Sequence, residues 1–498
     1  MRRSMSPRSA DAGLRFSRRI WLRVLSRSPK QPKPPGTQYM RREPSRRTLM
    51  ISAGAVLGAG FGSPVTGFAA NETRKTRAKV IVVGAGVSGL SAARHLADAG
   101  CEVVVLEARD RLGGRLHTDR RLGFPVELGA NWIHGVEGNP ITVLAKSVGA
   151  RTVITDDEDS VEVRRAGGKL VPDRELTNAE TRYQRLLDRI DHEIERGADV
   201  SLRAALEARD PAIFRDPLLA YVMTDATEGD QGAPAERISA YWFDEDGAFD
   251  GPDAVLPGGY DAILAPLARG LDVRLSTPVT RMVRHGAGVT IETAQGLLNA
   301  DFAVCSVPLG VLKGGGIAFD PPLPAVHRSA LGRIGFGTVT RAAVTFSEAF
   351  WPHRPHFFGH VAAKRGRWPL ILNHKPIAGL NLLTAIATGP YAEIADAMSP
   401  LEIKADLLSA LSDVFGLNVP EPTGFVASGW SRDPYAGGAY SVIAPGATPD
   451  DFSALAQGID GRLFLAGEHT DFTYHATIHG AYLSGQRVAK AIITRATG

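Results

Sequence analysis

Hydrophobic and polar positions alternate with different periods along the chain. In "KVIVVGAGVSGLSAARHLADAGCEVVVLEARD", Val80–Val83 is an unbroken apolar run, as in a strand buried on both faces. Leu90, Ala93, Leu96 and Ala97 follow at helical spacing, and Val103–Leu106 is a second apolar run. Strand, helix and strand in this order predict a βαβ unit. Further on, "TRYQRLLDRIDHEI" places Tyr183, Leu186, Leu187, Ile190 and Ile194 on one helical face with Arg and Asp opposite. "VTRMVRHGAGVTIETAQGLLNADFAVCSVP" alternates instead, predicting a β-meander that turns around His285–Gly288. "LFLAGEHTD" reads as a buried strand ending at Gly467-Glu468, and a helix rich in small residues is expected to start near Thr477.

The N-terminal pattern differs from all of these. Thr48–Gly62 is apolar but shorter than the roughly 20 residues of a spanning helix. It follows "SRRTLM", which looks like a twin-arginine export signal, and precedes "TGFAA", with small residues suited to cleavage. Residues 1–74 are therefore expected to be an extension and signal, starting at Met1 or Met40. An uncleaved anchor is the alternative. Residues 1–47 hold 14 of the 57 Lys and Arg, with Asp11 and Glu43 as their acids. Without the leader the formal charge turns from +4 to about −8, which suits cationic ligands and removes the main support for nucleic acid. No stable membrane span is expected in the mature chain, whose roughly 420 residues suffice for two cores. Cys101 and Cys305 sit in apolar runs and read as buried thiols, and no metal-ligand spacing is present.

Chemistry enters with Gly84-x-Gly86-x-x-Gly89 directly after the first strand. The glycines give a tight turn, close approach to a pyrophosphate and close helix packing, with the helix N-terminus facing the phosphates. Gly84, Ala85, Gly86, Ser88 and Gly89 are thus expected against a dinucleotide, and Glu107 on its ribose hydroxyls. The unit alone does not separate NAD from FAD. A second glycine pair in "RLGGR", with Gly114 and Arg115, favours FAD. Arg109 is either a further contact or a solvated loop charge.

"RLGGR", "ELGANWIHGVEGNP", "VPLGVLK" with "FDPPLP", and "AGEHTDFTYHATIHGAYLSG" together resemble the flavin-containing amine oxidase family of polyamine, spermine and monoamine oxidases and flavin-dependent histone demethylases. The resemblance runs from about Lys79 to Val488. It implies an α/β chain in which a Rossmann-type FAD-binding domain, glutathione-reductase-like in its βαβ unit, is interleaved with an α+β substrate-binding domain. The first would comprise residues 78–150, 255–310 and 422–498, the second 151–254 and 311–421. The long helical insertion of the histone demethylases is absent, which argues against a chromatin role.

The resemblance also implies roles for residues. Gly129, Ala130, Asn131, Trp132, Trp430, Glu468 and Thr477 would contact the cofactor, and the Val279 backbone its adenine. Lys313 would be the catalytic lysine that holds a water near the flavin. His134 and Tyr440 would meet substrate, Tyr440 as one wall of an aromatic cage; Tyr474, one helical turn before Thr477, is by its own spacing a further candidate to line the site. The second cage tyrosine of monoamine oxidases is replaced here by Thr477, and their flavin-bonding cysteine by Ala439, so FAD would be non-covalent. Nine acids lie between Asp225 and Asp253 against Arg237 alone, in the part that borders the cavity in relatives.

The expected function is oxidation of an amine, a polyamine for preference, at the carbon next to nitrogen. The imine would hydrolyse to aldehyde and amine while oxygen becomes hydrogen peroxide. The alternatives are an L-amino-acid oxidase, a monoamine oxidase, a desaturase-type flavoprotein sharing only the N-terminal fingerprint, or a flavin-bound recognition module without turnover. Cofactor-contacting segments far apart in sequence would explain an export route for folded proteins to the periplasm or beyond. The substrate, the bond cut, the electron acceptor and the oligomeric state stay open.

Overall fold

A computed structural model describes residues 78–155, 160–194 and 199–497. The twin-arginine segment lies outside the described residues. Five strands, β1 (Lys79–Val83), β2 (Glu102–Leu106), β3 (Asp272–Arg274), β4 (Phe302–Cys305) and β5 (Leu463–Leu465), form a parallel sheet ordered β3-β2-β1-β4-β5. The continuous apolar run in β1 reflects burial on both faces. Val80 and Val82 pack with Leu90, Leu96, Val488 and Ile492, while Ile81 and Val83 pack with Met282, Ile291, Leu331 and Phe452.

Helix α1 (Val87–Asp98) follows β1, and helix α2 (Ile478–Thr497) closes the chain against it. The hydroxyls of Ser88 and Ser484 are 2.9 Å apart, and Ser91 donates to the Tyr482 carbonyl at 2.9 Å. A Cβ at Gly485 would overlap the Ser88 carbonyl oxygen, so this contact needs a residue without a side chain. The predicted meander forms from Val279–His285, Gly288–Thr293 and Gly296–Ala300, with His285 paired to Gly288 at its turn. Phe302–Cys305, which the pattern ran on with the meander, leaves it to pair with β1 and β5.

A seven-stranded mixed sheet forms the other body, with Thr340–Thr345 between Gly424–Ala427 and Leu382–Ala387. Gly424–Ala427, grouped by the sequence reading with the 422–498 segment, is hydrogen-bonded into this second sheet. The helix Asp173–Ile194 buries Tyr183, Leu186, Leu187 and Ile190 on the expected face. Among the described residues no helix is long and apolar enough to cross a membrane. Both cysteines are buried and outside any disulfide.

Candidate active site

The order of the parallel sheet reverses between β1 and β4, and a cavity of about 1890 Å³ opens beyond their carboxyl ends and reaches the second sheet. Such a reversal leaves a crevice where adjacent crossovers diverge to opposite faces. Gly84 turns the chain at φ 103°, and Ser306, just after β4, donates to the Val83 carbonyl at 2.8 Å. Gly86 caps α1 without any side-chain hydrogen bond, so the helix brings unshielded N–H groups to the cavity lined by Gly86, Val87 and Ser88.

Glu107 faces the cavity with each carboxylate oxygen already held. Oε2 accepts from the Ala85 amide at 2.7 Å and Oε1 from the Arg109 amide at 2.9 Å. Its remaining lone pairs are aimed by that bracing and suit hydroxyl donors. Ala85 and Gly89 themselves do not line the cavity. Ala85 is buried and orients Glu107, and Gly89 lies where a Cβ would overlap the Gly84 carbonyl. Their expected cofactor contacts are corrected to bracing and packing.

Arg109 pairs with Asp433 at 2.7 Å and lies 5.4 Å from the Tyr435 ring centre. Arg115 donates to the Ala439 carbonyl at 2.7 Å and to Glu468 at 2.9 Å. Glu468 also accepts from Ala476 N at 2.9 Å and from the Ser441 hydroxyl. Burial resists ionisation of this carboxyl, but the Arg115 charge and these bonds win and hold it down to about 2. One buried carboxylate of the cavity lining thus ties Arg115, Ser441 and Ala476 to its own segment. Gly114, Gly129, Ala130, Asn131, Val279 and Trp430 line the same wall. Trp430 is fixed by a bond from its indole N–H to the Leu128 carbonyl at 2.8 Å. The Asn131 side-chain amide nitrogen is buried with no hydrogen-bond partner among the described residues.

At the start of α2, the Thr477 hydroxyl accepts from Gly480 N at 2.9 Å and donates to the Tyr474 carbonyl at 2.7 Å. Tyr474 stacks on Phe249, centroids 5.0 Å apart and planes 6° apart, and His479 stands edge-on to both. Burial pushes His479 down to about 3, so it sits there as a neutral ring. Its short surroundings in "AFDGPD" and "YHATIH" gave little sign that these three rings meet.

Six of the nine acids expected between Asp225 and Asp253 line the cavity: Asp225, Asp230, Glu245, Asp246, Asp250 and Asp253. Glu228 instead accepts from Ala235 N and the Thr224 hydroxyl, and Glu236 pairs with Arg203 and Arg365. Burial raises Asp230 and pushes Asp246 up to about 6. His134 meets Asp253 at 2.7 Å; burial opposes its charge, but the carboxylate beside it prevails and raises it. The 42% of the His134 side chain left exposed faces the cavity. Tyr440 donates to the Gly229 carbonyl at 3.1 Å beside this acidic wall.

Lys313 does not reach the cavity. Its ammonium donates to the carbonyls of Leu331 at 2.6 Å and Ile334 at 2.8 Å, at the C-terminal end of the helix Ala325–Arg333. That negative helix end holds the cation away from the cavity, which corrects its assignment as the catalytic lysine. Among the described residues the lining carries three side-chain cations other than histidine, namely Arg109, Arg115 and Arg341. Arg341, in the strand Thr340–Thr345, lies with its guanidinium carbon 5.0 Å from the Trp132 ring centre. It is 8% exposed, and its Nη1 has no hydrogen-bond partner among the described residues. The sequence reading missed it, although a lone arginine inside the small apolar run "TRAAVT" is the mark of a charge pointing into a core.

The glycine-lined helix N-terminus, the braced acid and the orphaned amide fit a dinucleotide, and the acidic and aromatic end fits a cationic organic molecule. Together they fit an oxidoreductase-type cavity that has room for a cofactor and a substrate. The chain matches the family model described as flavin containing amine oxidoreductase over residues 87–493, and it belongs to that enzyme family. It is 35% identical to polyamine oxidase 2 of Arabidopsis thaliana over 442 residues, covering 85% of this chain and 90% of that one. It is 34% identical to protein FLOWERING LOCUS D of Arabidopsis thaliana, covering 84% of this chain and 55% of the relative. With lysine-specific histone demethylase 1 homolog 1 of Oryza sativa subsp. japonica the identity is 33%, over 52% of the relative's length. The fold matches a solved structure of putrescine oxidase with redesigned cofactor binding at a TM-score of 0.70 and 24% identity, covering 84% of this chain and 99% of that one.

Proposed function

We propose that this chain is an FAD-dependent amine oxidase that takes a polyamine or a closely related cationic amine. The observation that carries the reading is the acidic wall from Asp225 to Asp253 beside the stacked Phe249–Tyr474 pair, within the cavity that begins at Gly86. The parallel sheet with its crevice is read as the Rossmann-type FAD domain and the seven-stranded sheet as the floor of an interleaved substrate domain. Gly86, Ser88 and the α1 N-terminus would hold the diphosphate, Glu107 the ribose, and the N-terminus of α2 the flavin pyrimidine. Bound FAD would supply the hydride acceptor for the carbon next to nitrogen and the route of electrons to oxygen.

The chain's own part is to bind, orient and desolvate. Asp230, Asp246 and Asp250 attract ammonium groups, His134 and Asp253 form a fixed hydrogen-bonding pair, and the aromatic rings exclude water from the chain carbons. The imine product hydrolyses to aldehyde and amine. Ala439 offers no nucleophile, and Cys305 is buried in β4 with its thiol pushed up to about 12 by that burial, so FAD is read as non-covalent. Acid precipitation should release all yellow colour into the supernatant.

A peroxide-coupled screen of polyamines, monoamines and amino acids tests the substrate reading. Polyamines should give the highest kcat/KM, and peroxide from amino acids alone would refute it. The proposal extends to twin-arginine export of the folded holoenzyme, supported by the packing of α2 on α1. Replacing Arg46 and Arg47 by Lys should then leave the FAD-loaded enzyme in the cytoplasm.

A further inference from the structure

Of the three cations on the cavity wall, Arg109 and Arg115 are each answered by a carboxylate and Arg341 is not. An unanswered buried charge is costly, and one kept in the lining of a cavity sets the local field for whatever enters. Its neighbours define a distinct end of the cavity, apolar at Val339, Leu370 and Ile386 and aromatic at Trp132 and Tyr440. The titratable groups that face Arg341 are Glu127, His134, His374 and Tyr440. Burial, with the Arg341 charge second, pushes His374 down to about 4, so it is neutral. Burial raises Tyr440, so it is a neutral phenol. Glu127 is the acid among them, and burial pushes its carboxyl up to about 7. Its oxygens accept from Tyr260 N at 2.8 Å and the Thr118 hydroxyl at 2.9 Å rather than from the guanidinium.

Asp230 is the larger charge acting on the Tyr440 phenol and Arg341 the smaller, so the field turns positive toward Trp132, against whose ring Arg341 lies. We propose that Arg341 selects which nitrogen of the bound amine reacts, by excluding an ammonium group from the Trp132 side of the cavity so that the nitrogen held there is the uncharged one. An ammonium nitrogen has no lone pair to assist departure of hydride from its neighbouring carbon; an uncharged amine has. The other nitrogens of a polyamine keep their protons and lie toward the acidic wall. The proton lost by the selected nitrogen stays with bulk water, since the neutral form is the one admitted. Arg341 acts here through its field and position, and the inference rests on the amine-oxidase reading above.

The test is the pH dependence of flavin bleaching by the best polyamine from the screen, measured anaerobically by stopped flow. In the wild type the acid limb should lie below the free amine's own ionisation. In Arg341→Met it should move up by about one to two pH units, the usual effect of removing a like charge at close range. Reduction at pH 7 should then slow about 10- to 100-fold, and the rates should converge at high pH. Arg341→Lys should restore most of the wild-type limb, and Arg341→Gln replaces the Met variant if that one does not fold. FAD content and the visible spectrum should stay as in the wild type.

An unmoved limb, or a loss equal at every pH, overturns the inference. A shifted flavin midpoint potential with an unmoved limb also overturns it, making the cofactor the partner of Arg341. So does selective loss, in Arg341→Met, of amines that carry a carboxylate and that the wild type prefers, because Arg341 would then be an anion anchor. If no amine bleaches the wild-type flavin, the function reading has failed instead.

Discussion

On the cavity wall Arg109 meets Asp433 and Arg115 meets Glu468, whereas Arg341 meets an indole ring and, among the described residues, no carboxylate. The first arrangement holds distant segments in one geometry whatever enters the site. The second leaves a charge whose field acts on whatever ligand enters. A cavity that binds one constant cofactor and one particular substrate needs both, since rigidity suits the former and an uncompensated field discriminates among the latter.

The largest effect should come from breaking the paired end. Arg115→Met strands Glu468, a carboxylate 3% exposed, without its counterion. Removing one partner of such a buried pair costs about 3–5 kcal/mol. The variant should melt well below the wild type and purify with little FAD, both read in one thermal scan with flavin fluorescence. Retention of full FAD content would show that the pair does not organise the cofactor end.

Asp253→Asn sharpens the contrast from the other end. FAD content should be unchanged, while KM for polyamines rises about tenfold through loss of a charge-assisted bond to His134. Charge on His134 is favoured by Asp253 and opposed by burial, so in the variant the imidazole should lose its proton at a lower pH, as NMR titration would show. The sign for stability follows. His134 is raised and Asp253 lowered, so the pair stabilises the fold fully between roughly pH 4 and 6.5. That contribution fades as pH climbs through the raised His134 value, and the gap between wild type and variant should narrow there.

The smallest effect belongs to Lys313→Met. Losing bonds to the Leu331 and Ile334 carbonyls at a helix end should cost about 1 kcal/mol. Flavin reduction and reoxidation should both keep their rates, and slowing of either by several-fold would put Lys313 back in the chemistry.

These outcomes follow how legible each region was. The βαβ unit could be read because its whole mechanism lies in one continuous stretch, from Val80 through the three glycines to Glu107. His134, Tyr440 and Tyr474 were identified by neighbouring motif residues, and they do line the cavity. Lys313 sits in an equally good motif, "VPLGVLK", yet a motif fixes the backbone neighbourhood and not the direction of a four-carbon side chain. Its ammonium found helix carbonyls first. Arg341 carries no motif at all, and its importance appears once strand pairing buries "TRAAVT" between two neighbours. Ala85 and Gly89 show the converse, residues essential to the fingerprint that act behind the wall and not on it. The strand Gly424–Ala427 pairs with Thr340–Thr345 in the second sheet, a partnership that leaves no local trace in the sequence near 422.

The packing of α2 on α1 has a temporal side. Ser88 and Ser484 stand 396 positions apart in the sequence, so their contact forms only after both have been synthesised. The Glu468 junction likewise waits for Ala476, and until then a complete glycine fingerprint stands beside an incomplete pocket.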